Sequence, residues 1–507
     1  MSSSKKIAKN TIFLYIRMLL VMGVTLYSSR IILQALGISD YGIYNVVGGI
    51  VTMFGFINGA MSSVTQRYIS YDIGKGDLNK VQKTFSLTLT IHILIALLIL
   101  IIGESAGLWY INNQLVFPPE RIFAVNVVFQ FSLFTLFLNI IQVPYNALIL
   151  AHERMNVYAY VSIIEVMLKL GSVFLLLKFG NDKLILYSIL TFGIALIIRI
   201  TYQIYCRINF KESKFKLEYD KKYFHELISY SGWNLFGSLS LVGKNQGVNM
   251  ILNLFFGTTV NAAYGISMQV QAAVTQFVSN FQSALNPQII QNYAGDNKER
   301  SLNLIFLGAK FSFFVMLMIT VPVMGNIDYI LKLWLGNNVP SYTAPFLKIS
   351  LIALLVDSMS GPFMTGIHAT GKIKTYQIFI GGINLVVPII VYFILSRGYD
   401  ASTAFVILLF FSLCSLILRV FFLKKEYLFS FSSLFKKLIL PLIIVSLLSF
   451  VVKTVLNNLI SVNNLMNLFI WLVINTLFLG LIIFFGGIEK NMRIQILRFV
   501  RKALKLN

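Results

Sequence analysis

The chain has 507 residues, 57% of them hydrophobic and only 12% charged, with a mean hydropathy of +0.78. Soluble domains carry about a quarter charged residues, whereas here apolar runs of about 20 residues, long enough to cross a bilayer, recur along the whole length. Soluble enzymes are excluded, and the net charge of +23 does not point to nucleic acid, because the basic residues bracket the apolar runs instead of gathering on one face.

Taken in chain order, the first apolar stretch, Thr11–Leu36, follows the basic MSSSKKIAKN. It is too long for the apolar region of a signal peptide and lacks a small-x-small cleavage site, so it reads as the first span. The pattern then predicts fourteen spans: 11–36, 42–66, 84–110, 122–150, 156–179, 184–206, 227–256, 262–291, 301–325, 344–368, 375–396, 401–423, 438–456 and 465–487. Counting Lys178, Arg419 and Lys453, which are near span ends, with the adjoining sides, 29 of the 42 Lys and Arg fall on the side of the termini, Arg419 with the basic loop after span 12, and 6 on the other, namely Arg121, Lys178, Lys183, Lys332, Arg397 and Lys453; the other 7 are counted as inside spans. The positive-inside rule places both termini in the cytoplasm. The longest loop, RINFKESKFKLEYDKKYFHE (207–226), leaves no room for a soluble catalytic domain. Cys206 and Cys414 offer neither a disulfide framework nor metal-ligand spacing.

A weak internal repeat orders these spans. LG at 36–37 precedes YGI at 41–43, as FG at 256–257 precedes YGI at 264–266. GDLNK (76–80) matches GDNKE (295–299), and PYNALILAHERMNVY (144–158) aligns to PFMTGIHATGKIKTY (362–376) with Arg154 opposite Lys372. The three matches keep their order and a nearly constant offset. A duplication of six spans gives halves of one orientation, a transporter architecture with its site near the midplane. The expected fold is all-α and polytopic: an N-lobe at 1–206, a cytoplasmic linker at 207–226, a C-lobe at 227–423, and two further helices with a basic tail over 424–507.

The charged residues inside the spans are the candidate site. Arg199 and Lys348 lie near span ends, where snorkelling accounts for them. Arg17 lies about 9 Å into span 1, and Lys310 about 15 Å into span 9. Lys169 has Glu165 four residues before it on one helix face, a self-neutralised pair or an ion relay. Arg30 has no acid in span 1. Lys244, in LVGKNQGVNMILN, is about 20 Å from Gly257, too deep for its stem to reach an interface. Either Asp357 of span 10 meets it, or it lines a water-filled cavity for an anionic ligand, with Arg30 facing the same ligand from the equivalent first helix of the other half. Amides such as Asn45, Asn249 and Gln269 suit a wet wall and hydroxyl-rich ligands. Asp357, just before Gly361-Pro362, is also a candidate for H+ or Na+ coupling, alongside Glu165 and Lys169. His92 reads as a hydrogen-bonded helix residue, and Glu104 as a solvated one. No catalytic set, metal site or cofactor is expected.

The run KNTIFLYIRMLLVMGVTLYSSRIILQALGISDYGIYNVVGGIV, with TQRYISYDIGKGD after it, resembles the polysaccharide flippases of the MOP superfamily, the Wzx-type O-antigen and exopolysaccharide translocases of bacteria. The resemblance implies alternating access of a cavity that carries a polyprenyl-diphosphate-linked oligosaccharide to the periplasmic leaflet of the inner membrane, driven by H+ or Na+. It also implies that Arg17 and Arg30 meet the diphosphate, with Lys244 as the second-lobe partner. By analogy with lipid II flippases, spans 13 and 14 would hold the polyprenyl tail. Membrane lipid and polysaccharide-assembly proteins are the further partners implied. The rivals are a cation-coupled antiporter of the MATE branch, which would be expected to place acids in the N-lobe, and a glycan polymerase or ligase, which needs a large periplasmic loop or a clustered acid/base set.

Overall fold

The computed structural model describes residues 3–52, 55–114, 117–179, 182–216, 220–335, 339–490 and 492–494. These residues form helices and short turns, with no strand among them. Inside hydrocarbon a backbone has to satisfy its own N–H and C=O groups, and a helix does so within one segment. The helices are α1 (Ser3–Thr52), α2 (Gly55–Gly74), α3 (Leu78–Asn113), α4 (Pro119–Ala151), α5 (Met155–Lys178), α6 (Lys183–Asn209) and α7 (Lys221–Ala294). There follow α8 (Lys298–Gly325), α9 (Ile327–Leu335), α10 (Thr343–Ala369), α11 (Lys374–Leu395), α12 (Ser402–Tyr427), α13 (Phe431–Leu459) and α14 (Leu465–Gly487). Among the described residues, ten of them are long and apolar enough to cross a membrane: α3 to α6, α8, and α10 to α14. The chain is a multi-pass, all-α membrane protein.

Spans 1, 2, 7 and 8 of the sequence fall in α1, α2 and α7; helix runs through the break expected after span 1, while the break expected after span 7 falls at Gly257, where two helices meet at a kink. The 74 residues of α7 would measure about 110 Å, several times a bilayer core. The run is bent at Gly257, whose φ of 72° and ψ of −166° lie in a region open only to glycine. In α1 no break interrupts the helix at 37–41. Asp40 nevertheless meets Arg121, which also holds Asp182, where α4 and α6 begin. Residues on both sides of it, Ile32 and Leu36 as well as Ile43 and Val47, enter one apolar cluster with Val128 and Phe129. The short helix α9, absent from the sequence reading, buries Ile327 and Leu331.

Contacts divide the chain into two units, residues 1–239 with 290–297, and 240–289 with 298–507. The first is cored by the cluster just described and by a second around Phe85, Leu148, Ile149 and Tyr202. The other is cored around Val248, Phe346, Val387 and Phe405, and around Val274, Met316 and Leu351. α13 and α14 attach to α8 of that unit: Asn457 and Lys437 of α13 donate to the Gly325 carbonyl at 3.3 Å and to Asn303 at 3.4 Å, and the Trp471 ring of α14 packs against Gly325.

The helices recur in order. Pro144 in α4 and Pro362 in α10 stand at the same distance from their helix ends, Ala151 and Ala369. Asp182 accepts from the amides of Leu184 and Ile185 at the start of α6, and Asp400 from Ser402 at the start of α12. Left-handed residues punctuate matching turns, Glu153 (φ 57°) with Gly371 (φ 79°), and Gly76 (φ 75°) with Asp296 (φ 61°). In the last pair the left-handed position is the Gly of GDLNK but the Asp of GDNKE, so these turns correspond one place away from their letter match. Asp and Asn tolerate the left-handed region next best after glycine.

Candidate membrane-depth charge sites

In the second unit, three helices bring charged groups within electrostatic reach of one another. At 1.5 Å per residue, Lys244 lies about 20 Å before the Gly257 bend, Asp357 about 21 Å into α10, and Arg419 about 25 Å into α12. Lys244 is half-buried, and the charged groups near enough to act on its ammonium are Asp357 and Arg419. Asp357, the acid that the sequence sets against Lys244, takes its direct hydrogen bond from Ser412. It is exposed, and an open carboxylate at mid-span fits a water-filled cavity far better than lipid. Arg419 donates from Nε to the Tyr376 hydroxyl at 3.1 Å and from Nη1 to Ser360 Oγ at 3.0 Å. The charge count placed Arg419 with the basic loop after span 12; its position within 401–423 was the signal that could have set it apart. Two cations against one acid leave this group net positive.

Next to this site, proline chemistry orders α10. Pro362 has no N–H, so the carbonyl of Ser358, four residues earlier, loses its helical partner. Gln282 Nε2 replaces it at 2.8 Å and also reaches Ser312 Oγ at 3.0 Å. A Cβ at position 361 would overlap the Gln282 carboxamide, so glycine there is what admits the amide.

In the first unit, the Arg17 guanidinium stacks over Tyr158 at 4.6 Å. Along α5, Tyr158, Ser162, Glu165 and Lys169 form one stripe, and Lys169 donates to Glu165 at 2.6 Å, neutralising the pair within its own helix. Asn249 and Gln269 both lie on α7, the first half-buried and the second exposed. The backbones of Arg30 and Asn45 belong to α1, but their side chains lie outside the described residues.

The remaining span charges have structural partners. Arg199 is buried against Tyr145, its guanidinium 4.3 Å from the ring, and bonds Gln203 instead of snorkelling. Lys348 pairs with Asp328 at 3.7 Å, and buried Lys310 lies 3.9 Å from Glu489. His92 Nδ1 lies 2.7 Å from the Thr88 carbonyl, and Glu104 accepts from Gln130.

The family profile described as "Polysaccharide biosynthesis protein" matches residues 7–293. The chain belongs to that family. It is also similar to the uncharacterized membrane protein EpsK of Bacillus subtilis (strain 168), 20% identical over 378 residues, 73% of this chain and 74% of that one. Among solved structures it is similar to a MATE protein in complex with MaD3S, with a TM-score of 0.72 at 13% identity, over 84% of this chain and 97% of that one. A MOP superfamily transporter from Pyrococcus furiosus, described as having a binding pocket of reversed polarity, gives 0.71 at 11% identity, over 86% and 99%. A mutant of the Vibrio cholerae MATE transporter VcmN gives 0.69 at 16%, over 84% and 97%. This member of the polysaccharide biosynthesis family therefore has the fold of MATE and MOP transporters.

Proposed function

We propose that the protein is a flippase that moves a polyprenyl-diphosphate-linked oligosaccharide from the cytoplasmic to the periplasmic leaflet of a bacterial inner membrane. Alternating access, coupled to H+ or Na+, would drive it, and both termini would be cytoplasmic. The observation that carries the reading is the net positive group formed by Lys244, Asp357 and Arg419. An isolated ammonium at bilayer depth costs about 3 kcal/mol on insertion scales, and a polyanionic headgroup offsets that cost. Family membership supports the glycan, and the amides of α7 supply neutral donors and acceptors for hydroxyls. Arg17 and Arg30 are the N-lobe candidates for the same diphosphate, with Asn45, Asn249 and Gln269 for the sugars. Asp357 is the first candidate for coupling, because protonating or metallating it would change the balance of charge around Lys244. Binding, release and reorientation complete the cycle without covalent chemistry.

The test is transport in proteoliposomes carrying a fluorescent polyprenyl-diphosphate oligosaccharide, with Lys244→Gln compared at equal insertion. Wild type is expected to move the lipid, and the variant to lose most of the rate. Equal rates would make Lys244 a structural counter-charge. The second reading, a small-molecule antiporter, has its own observation in the exposed mid-span carboxylate of Asp357. Export of a small cation with no movement of the glycan lipid would establish it instead.

A further inference from the structure

We propose that Arg419 is a phosphate ligand of the substrate, the second cation of the site that Lys244 marks, and that Tyr376 and Ser360 position it. The inference rests on the flippase reading and names a binding residue beyond it. A guanidinium stays ionised at any depth, and its planar fork matches two phosphate oxygens at once. Arg419 is oriented but not neutralised: its two hydrogen bonds go to neutral hydroxyls, Tyr376 at 3.1 Å and Ser360 at 3.0 Å. Two of its five N–H groups are used, and no carboxylate pairs with it among the described residues.

Arg121 shows how this chain treats an arginine that serves structure alone. Its guanidinium is shared between Asp40 and Asp182, with four contacts of 2.6 to 3.2 Å. Arg199 lies flat on Tyr145 and bonds within its own helix. Arg419 lies about 6 Å from residue 423, where its span ends, and its head is fixed by the Tyr376 and Ser360 hydroxyls on α11 and α10 instead of being free to extend into water. Lys244 has Arg419 among the charges acting on it. Two like charges acting on each other, with Asp357 the one acid acting on Lys244 among the described residues and bonded by Ser412, leave an excess of positive charge that an anion engaging both cations would offset. A diphosphate presents oxygens to a fork and to a point charge together.

The experiment measures equilibrium binding by the full-length protein in nanodiscs with a zwitterionic lipid background. The probes are a polyprenyl-diphosphate oligosaccharide, the same lipid with its diphosphate removed, inorganic pyrophosphate, and phosphatidylglycerol. Arg419→Gln is expected to weaken the diphosphate lipid at least about tenfold, the weight of one charge-assisted hydrogen bond. It should leave the phosphate-free lipid unchanged. Arg419→Lys keeps the charge without the fork and should recover only part of the loss, and Tyr376→Phe should lose less than Arg419→Gln. Weakening of pyrophosphate in parallel would place the recognition in the phosphates themselves. Weakening of phosphatidylglycerol alone would assign Arg419 to bulk lipid and overturn the proposal. So would unchanged binding of the diphosphate lipid by Arg419→Gln, or equal losses for both glycan lipids. If wild type binds no diphosphate lipid at all, it is the flippase reading that fails. If Arg419→Gln does not fold, Arg419→Lys and Tyr376→Phe carry the same comparison.

Discussion

Gly361→Ala tests the local logic of α10 with a single methyl group. The new Cβ displaces the Gln282 carboxamide, and with it the bonds to Ser358 O at 2.8 Å and Ser312 Oγ at 3.0 Å. A buried carbonyl left without a partner costs about 1–3 kcal/mol, and the second bond contributes about 0.5–1.5 kcal/mol. Side-chain bonds between membrane helices average nearer to about 0.6 kcal/mol, so about 2 kcal/mol is a fair total. Alanine returns up to about 1 kcal/mol of helix propensity over glycine, so the lost bonds win and the variant should be less stable by about 1 kcal/mol. Unfolding in mixed micelles, titrated with a denaturing detergent, measures it, and a double-mutant cycle with Gln282→Ala isolates the cause. In the Gln282→Ala background the bonds are already gone, so Gly361→Ala should become neutral or stabilising. A cost that is the same in both backgrounds would refute the account, because the methyl group would then be colliding with something else.

Two more outcomes follow from the polar clusters at the ends of the helices. Arg121→Gln strands Asp40 and Asp182, each less than a third exposed, and should cost about 1–3 kcal/mol at neutral pH. Burial raises the Asp182 carboxyl, but its bonds with Arg121 and with the amides of Ile185 and Leu184 outweigh burial and hold it below its ordinary value of 3.8. A depressed carboxyl supports the fold above its unfolded value, and that support fades as pH falls. The difference between wild type and variant, followed by unfolding against pH, should therefore shrink below about pH 4; a gap that stays constant would dissociate Asp182 from Arg121. At the other end of the helices of the first unit, Asp72 is buried and takes bonds from Thr84 and from Tyr223 at 3.4 Å, with Lys80 at 3.5 Å. Burial raises its carboxyl despite Thr84, Lys80 and Arg67. A raised carboxyl binds its proton more tightly in the folded chain, so wild-type stability should fall as pH rises from the ordinary value toward the elevated one. Asp72→Asn should flatten that dependence. An unchanged dependence in the variant would show that the raised carboxyl belongs to another group.

Much of the architecture is legible in the residues because it is local. Run length sets which segments cross a bilayer, and Lys and Arg counts set a preferred side. A proline, a glycine or an N-terminal aspartate marks a turn wherever the chain carries it, so the recurrence of Pro144 as Pro362 and of Asp182 as Asp400 survives in the letters. Where the sequence reading differs, the reason is also local. The turn around Gly76 and Asp296 shifts by one place because backbone conformation, not the letter, decides which position is left-handed. Helix passes through the break expected after span 1 because residues 37–41 contain no proline to stop it, whereas the break after span 7 is made by Gly257.

The sequence by itself determined that this is a helical membrane protein built on a duplicated plan, with a lysine too deep in its span for its stem to reach an interface. Only the tertiary structure decided which charges that lysine keeps company with. Asp357 and Ser412 are 55 positions apart, Arg419 and Ser360 59, Arg121 and Asp40 81. Helical periodicity tells which side of a helix a residue is on, but not which other helix that side faces. That is why Arg419 read as one more basic residue near a loop, and why it took the packing of α10, α11 and α12 to show it held by Tyr376 and Ser360 with its charge acting on Lys244.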